Sequence, residues 1–332
     1  MSGSNRFLLV TIGLAGLVVA LFVASLLQGP VAIPPGRAAV ALFTDDGGWT
    51  LVMREIRLPR ALLAVTIGAS LGLSGAALQG YLRNPLADAG VLGVGASAAL
   101  GAVLALYTGL STLFPLALPF AGLAGAIVAV VLVLALSGRE AGSVVLILSG
   151  VAVSGLAGAL TSLVLNLSPN PYAALEIVFW LLGSLADRSM LHVGLALPFM
   201  LVGWVLLAAT GRGLDALTLG RDTALSLGIR MDRLRLAVVL GTAAAVGAGV
   251  AVAGSIGFVG LVVPHLLRPL VGSRPSRLLA ASALGGAALL TAADLAARVI
   301  SPDRDLKLGV VTALVGTPFF LALVIRAKGK FA

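Results

Sequence analysis

Long apolar runs separated by short polar segments organise nearly the whole chain. A hydrocarbon core about 30 Å thick takes roughly 20 apolar residues per helix, and backbone groups in lipid must find partners within their own segment. On that basis spans fall near residues 7–27, 58–80, 92–107, 113–136, 143–166, 189–209 and 236–254, then 278–300 and 308–326. A short, broken span near 256–270 brings the total to about ten. The run 174–186 (ALEIVFWLLGSLA) is too short to cross and predicts a partial helix at the outer surface or dipping into the membrane. The expected fold class is therefore an all-α integral membrane protein, with residues 1–332 forming one transmembrane domain.

The first run, FLLVTIGLAGLVVALFVASLL, is longer than the apolar region of a signal peptide and leads into no small-residue cleavage site. It reads as a retained first span. An even number of spans puts both termini on one side. Arg6 and the tail residues Arg326, Lys328 and Lys330 place that side in the cytoplasm. With that orientation most of the 22 Lys and Arg residues lie in cytoplasmic segments, and most of the 13 Asp and Glu residues lie outside.

One polar stretch breaks the pattern. Residues 211–235 (GRGLDALTLGRDTALSLGIRMDRLR) are too polar to span, yet Leu214, Leu217, Leu219, Leu225, Leu227 and Ile229 recur through them. They predict one or two short amphipathic helices lying across the cytoplasmic face. Gly68-Ala69 followed by Gly75 also matches Gly247-Ala248 followed by Gly254 in spacing, as an inverted repeat would, but in a glycine-rich chain such a match is close to chance.

Composition removes the soluble alternatives. Hydrophobic residues make up 59% of the chain and charged residues 11%, against about 25% charged in soluble domains. The 42 glycines fall largely within apolar runs, where small residues let helices approach closely in lipid. The net charge of +9 is scattered between spans, and aromatics are 5%, so neither a basic domain nor a stacking platform for nucleic acid is present. Cysteine is absent, which excludes disulfides and thiolate chemistry.

The chemistry-bearing residues are few. His192 and His265 have no partner at metal-ligand spacing, and no serine elbow or paired-carboxylate motif occurs in a span. There is no G-x-x-x-x-G-K-[ST], and the three lysines, Lys307, Lys328 and Lys330, lie at the C-terminal end. Transport driven by ATP would need its motor on another polypeptide. No cofactor or catalytic residue is expected. Asp294 and Arg298 form an i,i+4 pair in the ninth span, read as a structural pair near the outer helix end, since a lone charge there costs about 3 kcal/mol. Arg57 and Arg60 flank Pro59 where the second span begins; the residues alone leave open whether they anchor a helix end or present charge to a partner.

Two blocks carry a resemblance. The first, residues 57–108, combines R-x-P-R, S-G-A-x-x-Q, R-N-P-L-A and L-G-V; the second, within 211–326, contains LGRDTALSLGI, VAGSIGFVGLVVPHLLRPLVG and LGVVTALVGTPFFLALVIR. Together they resemble the FecCD-type permeases, the membrane subunits of ABC importers for ferric siderophores, haem and vitamin B12. The resemblance implies a homodimer of ten-helix subunits with the type II importer fold in a bacterial inner membrane. Two ATPase subunits would sit below and a soluble substrate-binding protein above. It implies that Leu219, Gly220, Arg221, Ala224, Leu227 and Gly228 belong to coupling helices received by the ATPase. It also implies that Arg57, Arg60 and Arg298 meet acidic residues of the binding protein. The sequence departs from the family pattern at Asp305-Leu306-Lys307-Leu308-Gly309, where a proline is usual and a lysine stands instead. A missing proline frees a backbone N–H and relaxes the start of the last span.

An ion-coupled secondary carrier is the competing class and would want carboxylates near mid-membrane, which the spans largely lack. A membrane enzyme would need a nucleophile and base. The cargo is not written in the sequence beyond a pathway of small and apolar residues.

Overall fold

A computed structural model describes residues 3–45, 47–114, 116–138, 142–168, 171–301 and 305–328. Those residues are helical wherever they are regular. Helices α1 (Gly3–Leu27), α2 (Pro35–Phe43) and α3 (Gly48–Leu51) are followed by a π-turn at Val52–Arg57 and by α4 (Leu58–Leu82). A 3-10 turn at Ala89–Leu92 leads to α5 (Val94–Tyr107), α6 (Leu110–Leu113), α7 (Ala117–Ser137) and α8 (Ser143–Asn166). Then come α9 (Pro171–Leu181), α10 (Met190–Ala209), α11 (Gly211–Leu217), α12 (Arg221–Ser226) and α13 (Met231–Ala253). Helices α14 (Val259–Val271), α15 (Pro275–Ile300) and α16 (Leu308–Lys328) complete the described chain.

Among the described residues, seven helices are long and apolar enough to cross a membrane. Helices α5, α14 and α16 occupy the third, eighth and tenth expected spans. Where bounds differ, turn chemistry is the reason. The second span starts well before residue 58, because a π-turn carries the helix back to Gly48 in one 35-residue rod. The fourth starts at Ala117, after the one-turn α6. The partial helix is Pro171–Leu181, displaced toward the N-terminus from 174–186 because Gly183, at φ +71°, turns the chain out of helix. Helix α2 is short and was not expected. Lys330 lies outside the described residues.

In lipid, helix association rests on van der Waals approach between small residues. The α4–α15 crossing shows how close. A Cβ on Gly68 would lie 2.4 Å from the Gly286 carbonyl oxygen, and one on Gly72 would lie 2.0 Å from that of Ser282. On the same helix, Gly75 meets the Gly260 carbonyl of α14 at 2.0 Å in the same sense. Trp204 of α10 donates from Nε1 to Ser70 Oγ of α4 at 2.8 Å. Helix α4 is thus the packing axis, and Leu63, Leu78, Met200 and Leu290 are fully buried around it. The Gly68/Gly247 spacing match finds no common packing role. Gly75 faces α14, whereas Gly254 sits under the Trp180 carbonyl.

Helix α14 is broken off from α13. Gly254 turns out of helix at φ +75°, and helix resumes only at Val259. At 13 residues α14 is about 20 Å long, short of the hydrocarbon thickness. The break is tied down by Ser184, whose N–H donates to the Ala253 carbonyl at 2.8 Å. The Leu308 N–H donates to the Gly183 carbonyl at 2.8 Å, so the start of α16 joins the same junction.

Candidate functional site

At the outer end, α1 finishes with carbonyls that have no helical partner, and two arginines from other helices supply donors. Arg57, in the π-turn, donates to the Leu26 carbonyl at 2.9 Å, to the Leu27 carbonyl at 2.8 Å, and to that of Val31. Arg298, on the last turn of α15, donates to the Ser25 carbonyl at 3.1 Å, the Gln28 carbonyl at 2.9 Å and Ser25 Oγ at 2.6 Å. Cations at a helix C-terminus also complement its dipole. Arg57 is left 4% exposed.

Asp294 ties this arrangement together. It is 1% exposed and pairs with Arg298 at 2.8 Å, the i,i+4 contact expected from the sequence. Its other oxygen takes Arg60 from α4, with Nη2 at 2.8 Å and Nε at 2.9 Å. One carboxylate therefore serves two guanidinium groups, and Arg57 lies close enough to add to the positive field at Arg298. Arg60 and Arg298 line a cavity of about 240 Å³ together with Gln28, Ala186 and Asp305.

Around the 305–309 departure, Asp305 accepts from Ser184 Oγ at 3.0 Å and is ion-paired with Lys307. Lys307 also sits 5.7 Å over the Phe179 ring. The added lysine is thus largely neutralised where it stands. Neither histidine gathers ligands. His192 Nδ1 lies 3.1 Å from Ser189 Oγ at the start of α10, and His265 packs edge-on against Phe319. Among the described residues no group of acidic, His and Cys side chains could hold a metal ion.

The cytoplasmic stretch 211–235 folds as two short helices and the start of α13. Helix α11 is anchored from within: Leu214 and Leu217 are buried, and Asp215 binds the first turn of α15. Asp215 accepts from the Ser276 N–H at 2.8 Å, Ser276 Oγ at 2.8 Å and Arg274 Nε at 2.7 Å. Burial pushes the Asp215 carboxyl up, but these donors outweigh it and hold it below the usual carboxylate range. Helix α12 is framed by Gly220 at φ +106° and Gly228 at φ +81°, conformations that a side chain strains. Ala224 is its buried contact. Leu219, Leu225 and Leu227 point away, 64%, 49% and 61% exposed.

Of the residues singled out in the sequence, Arg57, Arg60, Asp294 and Arg298 are brought together, and the six from Leu219 to Gly228 share one surface element. Gln79, the last residue of the S-G-A-x-x-Q pattern and buried in α4, has a part that the sequence reading did not assign. It donates to the Gly260 and Leu261 carbonyls at 3.3 Å and accepts from Arg268 at 2.7 Å. A polar residue inside an apolar span was the available signal.

The pattern of the FecCD transport family matches residues 17–326. The chain is 38% identical to the Fe(3+) dicitrate transport system permease protein FecD of Escherichia coli, covering 96% of this chain and 98% of that one. It is 40% identical to the uncharacterized ABC transporter permease protein YvrB of Bacillus subtilis, over 85% and 81%. It is also 41% identical to the cobalamin import system permease protein BtuC of Halobacterium salinarum, over 82% and 73%. Among solved structures, a metal-chelate type ABC transporter in an inward-facing conformation superposes with a TM-score of 0.84 at 34% identity, covering 95% and 98%. The chain belongs to the FecCD transport family and is a multi-pass membrane permease subunit.

Proposed function

We propose that this chain is the pathway-forming subunit of an ATP-driven importer of bulky metal chelates in a bacterial inner membrane. Two copies would enclose the pathway, two separate ATPase subunits would bind below, and a soluble substrate-binding protein would dock above. The cargo class follows relatives named for ferric citrate, hemin and cobalamin transport. Those cargoes share a preassembled metal complex of large volume.

The observation that carries the proposal is the surface of α12. Three leucines face outward from a cationic segment outside every span, while Asp215 and the buried leucines brace its neighbour α11 against α15. An exposed apolar knob on a rigid base is what a motor subunit needs in order to push: Leu219, Leu225 and Leu227 form its surface, Gly220 and Gly228 frame it, Arg221 adds charge and the buried Ala224 seats it. At the outer face, Arg60 and Arg298 rim the cavity available to acidic groups of a docked protein. Arg57 supports that rim from beneath, because its donors are taken by α1. An ion-coupled carrier would need a carboxylate free to bind its ion, and Asp294 is held by two arginines.

The test is ATP hydrolysis by the reconstituted complex with binding protein present. Gly228→Pro cannot adopt φ +81° and deletion of 218–229 removes the knob. Both are expected to insert normally and to lose stimulated hydrolysis. Full stimulation in the deletion variant would overturn the coupling assignment.

A further inference from the structure

On the face that carries α11 and α12, a cavity of about 370 Å³ opens between Tyr81, Arg83, Ser143, Arg221, Asp232 and Arg235. Three guanidinium groups line it beside a single carboxylate. Arg235 is 6% exposed and donates one amino group to the Gly138 carbonyl. Its Nε is buried with no hydrogen-bond partner among the described residues. Arg83 and Arg221 are exposed and form no ion pair among the described residues.

We propose that this cavity binds the phosphodiester of an anionic phospholipid from the cytoplasmic leaflet. Its level is set by three spans: one ends at Leu82, one begins at Ser143 and one begins at Met231. That puts the guanidinium groups where headgroups lie. Guanidinium forks match phosphate oxygens in a way that point charges do not, and the Tyr81 and Ser143 hydroxyls add neutral donors. Leu82, Leu217 and Met231 complete the lining with apolar surface, which suits a glycerol backbone and the start of an acyl chain better than a free phosphate. Basic pockets between spans on this side of a membrane are recognised headgroup sites.

The location gives the lipid a mechanical consequence. Leu217 and Arg221 belong to the coupling segment, Tyr81 and Arg83 to the end of the packing axis α4, and Arg235 to α13. A bound phosphate would brace all three against one another. The inference rests on the cytoplasmic placement of this face, which the ATPase docking under Proposed function also requires, but its test needs no ATPase or cargo, so the two can fail separately.

The experiment is native mass spectrometry of the full-length permease titrated with phosphatidylglycerol or phosphatidylcholine of matched chains. The wild type is expected to retain phosphatidylglycerol about 25-fold better, since three arginines beside one carboxylate leave two net charges that count at roughly fivefold each. Arg83→Gln and Arg235→Gln are each expected to reduce that preference about fivefold. Arg235 is buried and its variant risks misfolding; Arg83 is exposed and keeps the test valid. Arg233→Gln, on the same face but outside the cavity, is expected to change nothing. Equal retention of the two lipids, or an equal loss in Arg233→Gln, would overturn the proposal. Displacement of phosphatidylglycerol by millimolar inorganic phosphate would assign the cavity to a soluble anion and overturn the lipid reading.

Discussion

Arg60 reaches from α4 to Asp294 on α15, closing a 2.8 Å ion pair between residues 234 positions apart in the chain. The contact locks the outer ends of the two most closely packed helices. Removing the carboxylate leaves Arg60 and Arg298 adjacent, poorly solvated and unpaired, a change that typically costs about 3 kcal/mol or more. Asp294→Asn is therefore expected to lower the melting temperature of the purified protein by several degrees. Uptake per folded molecule should stay ATP-dependent and indifferent to an imposed pH gradient. Proteoliposomes of this subunit alone that took up cargo down a proton gradient, and lost that in Asp294→Asn, would assign Asp294 an ion-coupling role instead.

At the middle of the same crossing, Gly72→Ala places a methyl group 2.0 Å from a backbone carbonyl oxygen that cannot swing aside. Helices α4 and α15 must separate, and overpacking of this kind costs about 1–3 kcal/mol. Gly13 on α1 has nothing within 4 Å of such a methyl. Gly13→Ala is expected to be neutral. Thermal denaturation of the two variants in one detergent separates them, and equal melting points would show that the crossing adjusts freely.

The contrast between Gly72 and Gly13 also shows where sequence reading ends. The apolar runs mark the spans, because length and absence of charge suffice in lipid. They do not say which face of a span packs, since apolar residues surround each helix and both glycines look alike in the sequence. The Arg298–Asp294 contact follows from helical spacing, whereas Arg60 could be matched to Asp294 only in three dimensions. Arg57 illustrates the same limit. Its charge and its place beside Pro59 suit a helix anchor and a docking residue equally, and only the approach of α1 turns it inward. The stretch 211–235 was more legible, because leucines recurring in a polar segment have no role in lipid. Which of them face outward depended on Gly220 and Gly228, whose backbone angles no periodicity records.

Asp215 gives a pH prediction. Its carboxyl is held below the ordinary value of 3.8, so it stabilises the α11–α15 contact at every pH above that value, and the contribution fades only as pH falls further toward the depressed folded pKa. Asp215→Asn is expected to lower the melting temperature by the same amount at pH 8 and pH 5. The difference should shrink only below about pH 4. A penalty already shrinking between pH 8 and pH 5 would mean that the carboxyl titrates higher than its three donors dictate.

The last prediction separates the two arginines beside Pro59. Arg60 is 19% exposed at the rim of the outer cavity, whereas Arg57 is 4% exposed with its donors on carbonyls of α1 and the turn after it. Charges at a docking rim act through solvent and are screened over about 10 Å at 0.1 M ionic strength. Reversing one should therefore weaken association with the binding protein most at low salt. Arg60→Glu is expected to raise the docking Kd several-fold at 20 mM salt and much less at 500 mM, as steering by opposite charges predicts. Arg57→Glu instead puts a carboxylate against carbonyl oxygens, so it should reduce folded yield by the same amount at either salt. Size-exclusion profiles report the folding defect, and surface plasmon resonance against the immobilised binding protein reports docking. A salt-dependent docking loss in well-folded Arg57→Glu would place Arg57 at the interface. A salt-independent loss in Arg60→Glu would mean that breaking its pair with Asp294 distorts the second span before any partner arrives.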